Sequence, residues 1–139
     1  MKKKVFAIAM ALIMVFSAVV FAYASTDSGV SLYGTSDVTF VTNRTSRTSA
    51  DITIAVGFTQ VVDRYSVVVY LEKKVNGQWV LDTTNDDYVY YNNGWNSSQF
   101  VFSRKYNSLK SGTTYRIRCV SKDYINDVPN NKTFYSSPF

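Results

Sequence analysis

The sequence predicts an all-β protein, about seven strands in two packed antiparallel sheets, entered through an amino-terminal export signal. Three observations carry this. Ala50, Ile52, Ile54, Val56 and Phe58 share one parity while Asp51, Thr53 and Gly57 fall on the other, the period of a strand with one core face and one wet face. Asn76-Gly77 sits between two β-type runs and supplies two residues that tolerate positive φ, the chemistry of a type I′ hairpin turn. Past the amino terminus no stretch holds a helical period, and the chain is crowded with Thr, Val, Tyr, Phe, Asn and Ser.

At the amino terminus, Lys2, Lys3 and Lys4 precede an uncharged apolar run from Val5 to Phe21 and then Ala22-Tyr23-Ala24. This is the pattern of a secretory signal with an A-x-A cleavage site, so residues 1–24 are expected to leave and 25–139 to be exported. The mature chain of 115 residues suits one domain. Ser25 to Asp37 is polar and Gly-containing, too poor in apolar surface to repay ordering, and reads as a flexible leader to a domain spanning 38–139.

Without the three signal lysines the balance is twelve basic against ten acidic side chains, which gives no electrostatic case for nucleic acid or an anionic membrane. Arg116 and Arg118 alternate onto one strand face and read as solvated. Cys119 is the only cysteine, so no intrachain disulfide forms; its place in an apolar alternation predicts a buried, unreactive thiol and a monomer rather than a covalent dimer.

The predicted strands are Val38 to Thr42, Ala50 to Phe58, Tyr65 to Lys74, Gln78 to Thr84, Gln99 to Tyr106, Thr113 to Lys122 and Lys132 to Ser137. Tyr65, Val67, Val69 and Leu71 alternate with Ser66, Val68, Tyr70 and Glu72, so the third run reads as central, with Glu72 an exposed strand-end residue. Trp79 shares parity with Leu81 and reads as packing. Arg104 shares parity with Phe100, Phe102 and Tyr106: either it snorkels at an edge or a bulge resets the register.

The segment Leu109-Lys-Ser-Gly-Thr-Thr-Tyr115 resembles the Leu-x-x-Gly-Thr-x-Tyr signature of fibronectin type III domains. The resemblance implies a fibronectin type III-like, immunoglobulin-like β-sandwich, with Leu109 entering the core and Tyr115 forming a tyrosine corner whose hydroxyl bonds to upstream backbone. A tyrosine stands where these folds commonly bury the strand C tryptophan. The tract from Tyr65 through Trp79 is also similar to small exported Gram-positive bacterial domains of unassigned function, a likeness that implies origin and transfers no catalytic residue.

Chemistry is constrained by what is missing. With no histidine, neither a Ser-His or Cys-His nucleophile nor a His-based zinc site can be built. No serine has lysine three residues on. Asp86 and Asp87 point apart in extended chain, so a non-catalytic protein without cofactor is expected. Asp82 to Asp87 and Asp123 to Asp127 are rich in oxygen ligands, but neither fits the calcium loop pattern D-x-[DN]-x-[DN]-G and both suit turns.

One stretch stands out for binding, Tyr88 to Ser98. Trp95, Tyr91, Asn93 and Asn96 combine flat aromatic rings with amides, the pairing that suits a sugar ring and its hydroxyls. Asn92-Asn93-Gly94 reads as a turn that breaks the strand and sets Trp95 at a loop tip or strand start; the competing reading has these aromatics packing a core or edge strand. The expected function is a secreted binding module for a carbohydrate or an extracellular protein. The alternatives are a structural or envelope-associated protein without a discrete ligand site, and a small hydrolase with two carboxylates converging in a cleft.

Overall fold

The computed structural model describes residues 35–139. The expected signal peptide, its cleavage site and the leader as far as residue 34 lie outside the described residues. Within them the chain is all-β, with no helix, in six antiparallel strands: β1 Thr35–Arg44, β2 Ala50–Val75, β3 Gln78–Leu81, β4 Val89–Tyr106, β5 Tyr115–Ile125 and β6 Val128–Tyr135. Along one side β2 pairs β4 over nearly its whole length. Along the other it pairs β1 with residues 50–58 and β5 with residues 64–73. β6 pairs β5, and β3 pairs the end of β2.

Two strands run further than alternation alone suggests. The second and third predicted runs are one strand of 26 residues, and β4 spans 18 residues, so seven runs become six strands. The mixed tract Thr59 to Arg64 between the two apolar runs of β2 is not a loop but contains a bulge, and its Val62 is buried in the core. Gly57 pairs Gln99 and Val62 pairs Ser97, so four residues of β2 lie opposite Ser98 alone. Excess residues on one strand bend it and sharpen its twist. The sheet is partly curled, and both halves of β2 feed one core: Ile52, Ile54 and Val56 from the first, Val67, Val69 and Leu71 from the second. Val38, Phe100, Phe102, Ile117 and the fully buried Cys119 join them. Burial pushes the Cys119 thiol pKa up to about 12, so it stays protonated at neutral pH.

Turn chemistry fixes the registers. Asn76 (φ 50°) and Gly77 (φ 82°) make the expected two-residue turn, although the hairpin closes only over Glu72–Val75 and Gln78–Leu81. A second such turn, Asn126 (φ 51°) and Asp127 (φ 61°), joins β5 to β6. It starts β6 at Val128, four residues before the run at Lys132. β1 likewise opens at Thr35, inside the segment expected to be a leader. The Thr35 amide and hydroxyl donate to Asp123 Oδ1 at 2.9 and 2.6 Å, and its hydroxyl meets Ser121 Oγ at 2.8 Å, so a polar network rather than apolar area orders this end.

Tyr115 is fully buried at the start of β5, and its hydroxyl accepts a 2.8 Å hydrogen bond from the Lys110 amide. Leu109 is buried beside the same loop. Arg104 keeps the inner parity without any shift of register from Gln99 to Tyr106. It snorkels: its guanidinium lies 5.3 Å from the Tyr90 ring centroid and 5.5 Å from that of Phe102, and reaches Asp87 Oδ1 at 3.0 Å.

Candidate functional site

Strand alternation and register build one face of the sheet from residues far apart in sequence. On β5 the odd positions 115–125 are buried and the even ones half-buried, so Arg116, Arg118, Val120, Lys122 and Tyr124 share the outer face. β2 places Arg64, Ser66, Val68, Tyr70 and Glu72 beside them. On the far side of β2, β4 contributes Trp95 opposite Arg64, Asn93 opposite Ser66 and Tyr91 opposite Val68. Three strands thus align Trp95–Arg64–Tyr124, then Asn93–Ser66–Lys122, then Tyr91–Val68–Val120, in successive rungs.

At the Trp95 end these side chains surround an open pocket of about 360 Å³. Trp95 is 68 % exposed and Tyr91 59 %, both far above what a packed aromatic shows. The Arg64 guanidinium lies over the Tyr124 ring at 4.0 Å from its centroid, with Lys122 Nζ at 5.2 Å from the same ring. Tyr65 and Gly94 close the floor. Burial, and secondarily Tyr90 nearby, raises the Tyr65 phenol pKa, so the ring is neutral and its hydroxyl donates to Asn92 Oδ1 at 3.4 Å.

Of the four residues singled out from the sequence, the structure brings together Trp95, Tyr91 and Asn93 and leaves Asn96 out. Asn96 is exposed at φ 48° and does not line the pocket. The turn expected at Asn92-Asn93-Gly94 is absent: all three are strand, and Trp95 is set by β pairing rather than by a loop tip. Gly94 is there for space. A Cβ on it would stand 2.5 Å from Tyr65 Cε1. Arg64, Ser66, Lys122 and Tyr124 were not legible as partners, because their convergence depends on the register of three strands; the visible signal was only the parity shared by Lys122 and Tyr124.

The opposite end of this face corrects one further expectation and locates another. Glu72 is buried, 6 % exposed, and accepts from Arg116 Nε at 2.7 Å and Arg118 Nε at 2.6 Å. The arginines therefore point outward as expected but are tied to a carboxylate. Trp79 packs as expected, half-buried on β3 but on this outer face, with the Arg116 guanidinium 4.5 Å and Lys74 Nζ 5.7 Å from its ring centroid; Leu81, sharing its parity, is exposed. The pairing Glu72–Leu81 and Lys74–Trp79 across the hairpin puts both on the side of Glu72, opposite Leu71.

The buried carboxylates of the acidic segments meet protein donors, although Asp123 Oδ2 is buried without a hydrogen-bond partner. Asp82 accepts from Lys73 Nζ at 2.8 Å, from Thr84 Oγ1 and from Asn85 Nδ2 at 3.2 Å, while Asp123 Oδ1 accepts from Thr35 and Asn130. Among the described residues no group of three or more cysteine, aspartate or glutamate side chains is placed to hold a metal ion. No family model, curated protein or solved structure matches this chain.

Proposed function

We propose that this chain is an exported, non-catalytic binding module that holds a carbohydrate on the Trp95–Tyr91 side of its outer sheet face. One observation carries the reading: Trp95, Tyr91 and Asn93 stand on one parity of one strand, exposed, around a pocket whose other walls are aromatic, hydroxyl and cationic. An exposed tryptophan leaves apolar area in water, and a stacked sugar ring recovers it at about 25 cal/mol per Å². Asn93 and Ser66 supply the donors and acceptors that ring hydroxyls require. No aspartate or glutamate lines this pocket, so it lacks the paired carboxylates of a glycoside hydrolase.

The finer architecture is part of the same proposal. The curled sheet is a two-layer, fibronectin type III-like sandwich, with β1 and the first half of β2 in one layer and the second half of β2, β5 and β6 in the other. The bulge after Gly57, the shared core and the Tyr115 hydroxyl bonded to Lys110 support it. Methyl NOEs between the Ile52–Val56 and Val67–Leu71 segments are expected, and their absence overturns the layering.

Calorimetric titration of cell-wall and plant-type polysaccharides against wild type and Trp95→Ala tests the function. Binding to at least one polysaccharide, abolished by the substitution, is expected. Binding indifferent to Trp95 removes the site, and no binding to any of them favours the structural role.

A further inference from the structure

We infer that the glycan held at this site is acidic, a polymer of uronic-acid sugars whose ring stacks on the Trp95 side while its carboxylate meets Arg64 and Lys122. The inference rests on the carbohydrate reading and narrows it to a chemical class. Charge distribution gives the first reason. Among the described residues twelve side chains are basic, and five of them, Arg64, Lys74, Arg116, Arg118 and Lys122, share this outer face with one acidic side chain, Glu72. The other seven basic side chains are set against eight acidic ones, of which Asp127 reaches Arg64 from the turn at the edge of this face. Basic residues scattered in sequence are thus gathered on one surface by the register of the strands.

The second reason is how those cations are spent. Glu72 engages Arg116 and Arg118 at one end of the face. At the other end, Lys122 has no carboxylate within ion-pair distance among the described residues, and Arg64 has only a 3.6 Å contact with Asp127, whose side chain is 94 % exposed. A contact so open to water is weak and easily exchanged. Arg64 Nε is buried and finds no hydrogen-bond partner. Nε itself is sealed from water, so the donors open to a ligand beside the aromatic pocket are the terminal NH groups, one of which makes the Asp127 contact, and a carboxylate is the group they suit.

Geometry favours a charge carried on the stacked sugar over one lying between sugars. Arg64 and Lys122 stand on adjacent rungs with the aromatic rings, all within one pocket of about 360 Å³. A uronic acid carries its charge on the sugar ring itself, so ring stacking and charge pairing occur within one residue. A phosphodiester lies between sugars and separates the two.

The test is calorimetric titration of the exported protein with polygalacturonate, its fully methyl-esterified form, a teichoic-type phosphodiester glycan and polyglutamate. Polygalacturonate is expected to bind, with affinity falling as salt rises, and the methyl ester to bind at least about tenfold more weakly. Lys122→Gln is expected to cost about tenfold and Lys122→Arg to restore binding. Equal affinity for the acid and its ester, or indifference to Lys122→Gln, overturns the inference while a Trp95-dependent interaction keeps the carbohydrate reading. Tighter binding of the phosphodiester glycan also overturns it. Polyglutamate binding as well as polygalacturonate overturns both, because charge alone then accounts for the affinity. A wild-type melting transition in the Lys122 variants excludes misfolding as the cause of any loss.

Discussion

The ring of Tyr65 occupies the space that a side chain at Gly94 would need, since an added Cβ would lie 2.5 Å from Tyr65 Cε1 and 2.6 Å from its Cζ and Oη. The two residues are cross-strand partners, and Tyr65 also packs Phe58 and Phe100 at centroid distances of 5.4 and 5.8 Å. Gly94 lies between Asn93 and Trp95, so the core aromatic cluster and the candidate site share a wall.

Gly94→Ala is therefore expected to destabilise the domain by about 1–3 kcal/mol, the usual cost of overpacking a fitted core. Urea denaturation measures it. The penalty is expected to shrink in a Tyr65→Ala background, because the clash then has no partner; an unchanged penalty in the double-mutant cycle would place its origin in the backbone instead.

Glu72 governs the other end of the face. Removing one partner from a buried ion pair leaves a charge uncompensated, and Glu72→Gln leaves two, Arg116 and Arg118, each about a quarter exposed. Their access to water moderates the cost to about 1–3 kcal/mol, below the 3–5 typical of fully buried pairs. Urea, being uncharged, is the denaturant of choice. A variant as stable as wild type would mean that solvent replaces Glu72 at no cost.

The sequence exposed the period-2 alternation, the Asn76-Gly77 turn, the inward parity of Cys119 and the aromatic-amide content of Tyr91, Asn93 and Trp95. Each is a local property, set within a few residues. What remained hidden is non-local. The alternation breaks after Phe58, so the sequence divides residues 50–74 into two runs, yet a bulge carries one strand through the break. Gly94 reads as a turn because glycine usually marks one, yet a ring from another strand demands it. Glu72 reads as exposed beside two lysines, yet β5 brings two arginines onto it. Cross-strand partners decided all three.

Tyr115→Phe removes the acceptor of the Lys110 amide and a lesser interaction of the hydroxyl with the nearby Asp82 carboxylate, while the ring stays packed against Phe139 at 6.3 Å between centroids. The expected loss is about 1 kcal/mol, the net worth of one hydrogen bond, read from the thermal or urea transition. Hydrogen exchange at the Lys110 amide is expected to accelerate as well. Unaltered exchange there would show that water takes over the bond.

The acid limb of stability is expected to depend on Asp82. Its carboxyl is fully buried, and burial by itself raises the pKa; hydrogen bonds from Lys73, Thr84 and Asn85, with the Lys73 charge, outweigh this and hold the pKa below its ordinary 3.8. A folded-state pKa lower than the unfolded one means that the unfolded chain takes up protons first as pH falls. The stabilisation is thus complete above the unfolded value and is lost as pH drops through the folded one. Asp82→Asn keeps the shape but loses the ion pair to Lys73, whose Nζ lies 2.8 Å away, and is expected to cost about 1.5–3 kcal/mol near pH 7, the range for hydrogen bonds to a charged group. The difference between wild type and variant, measured by urea denaturation from pH 7 to pH 2, is expected to hold level to about pH 4 and then narrow. The remaining carboxylates titrate in both proteins and cancel in that difference. A gap that stays constant to pH 2 would mean that packing around residue 82, and not its charge, supports the loop between β3 and β4.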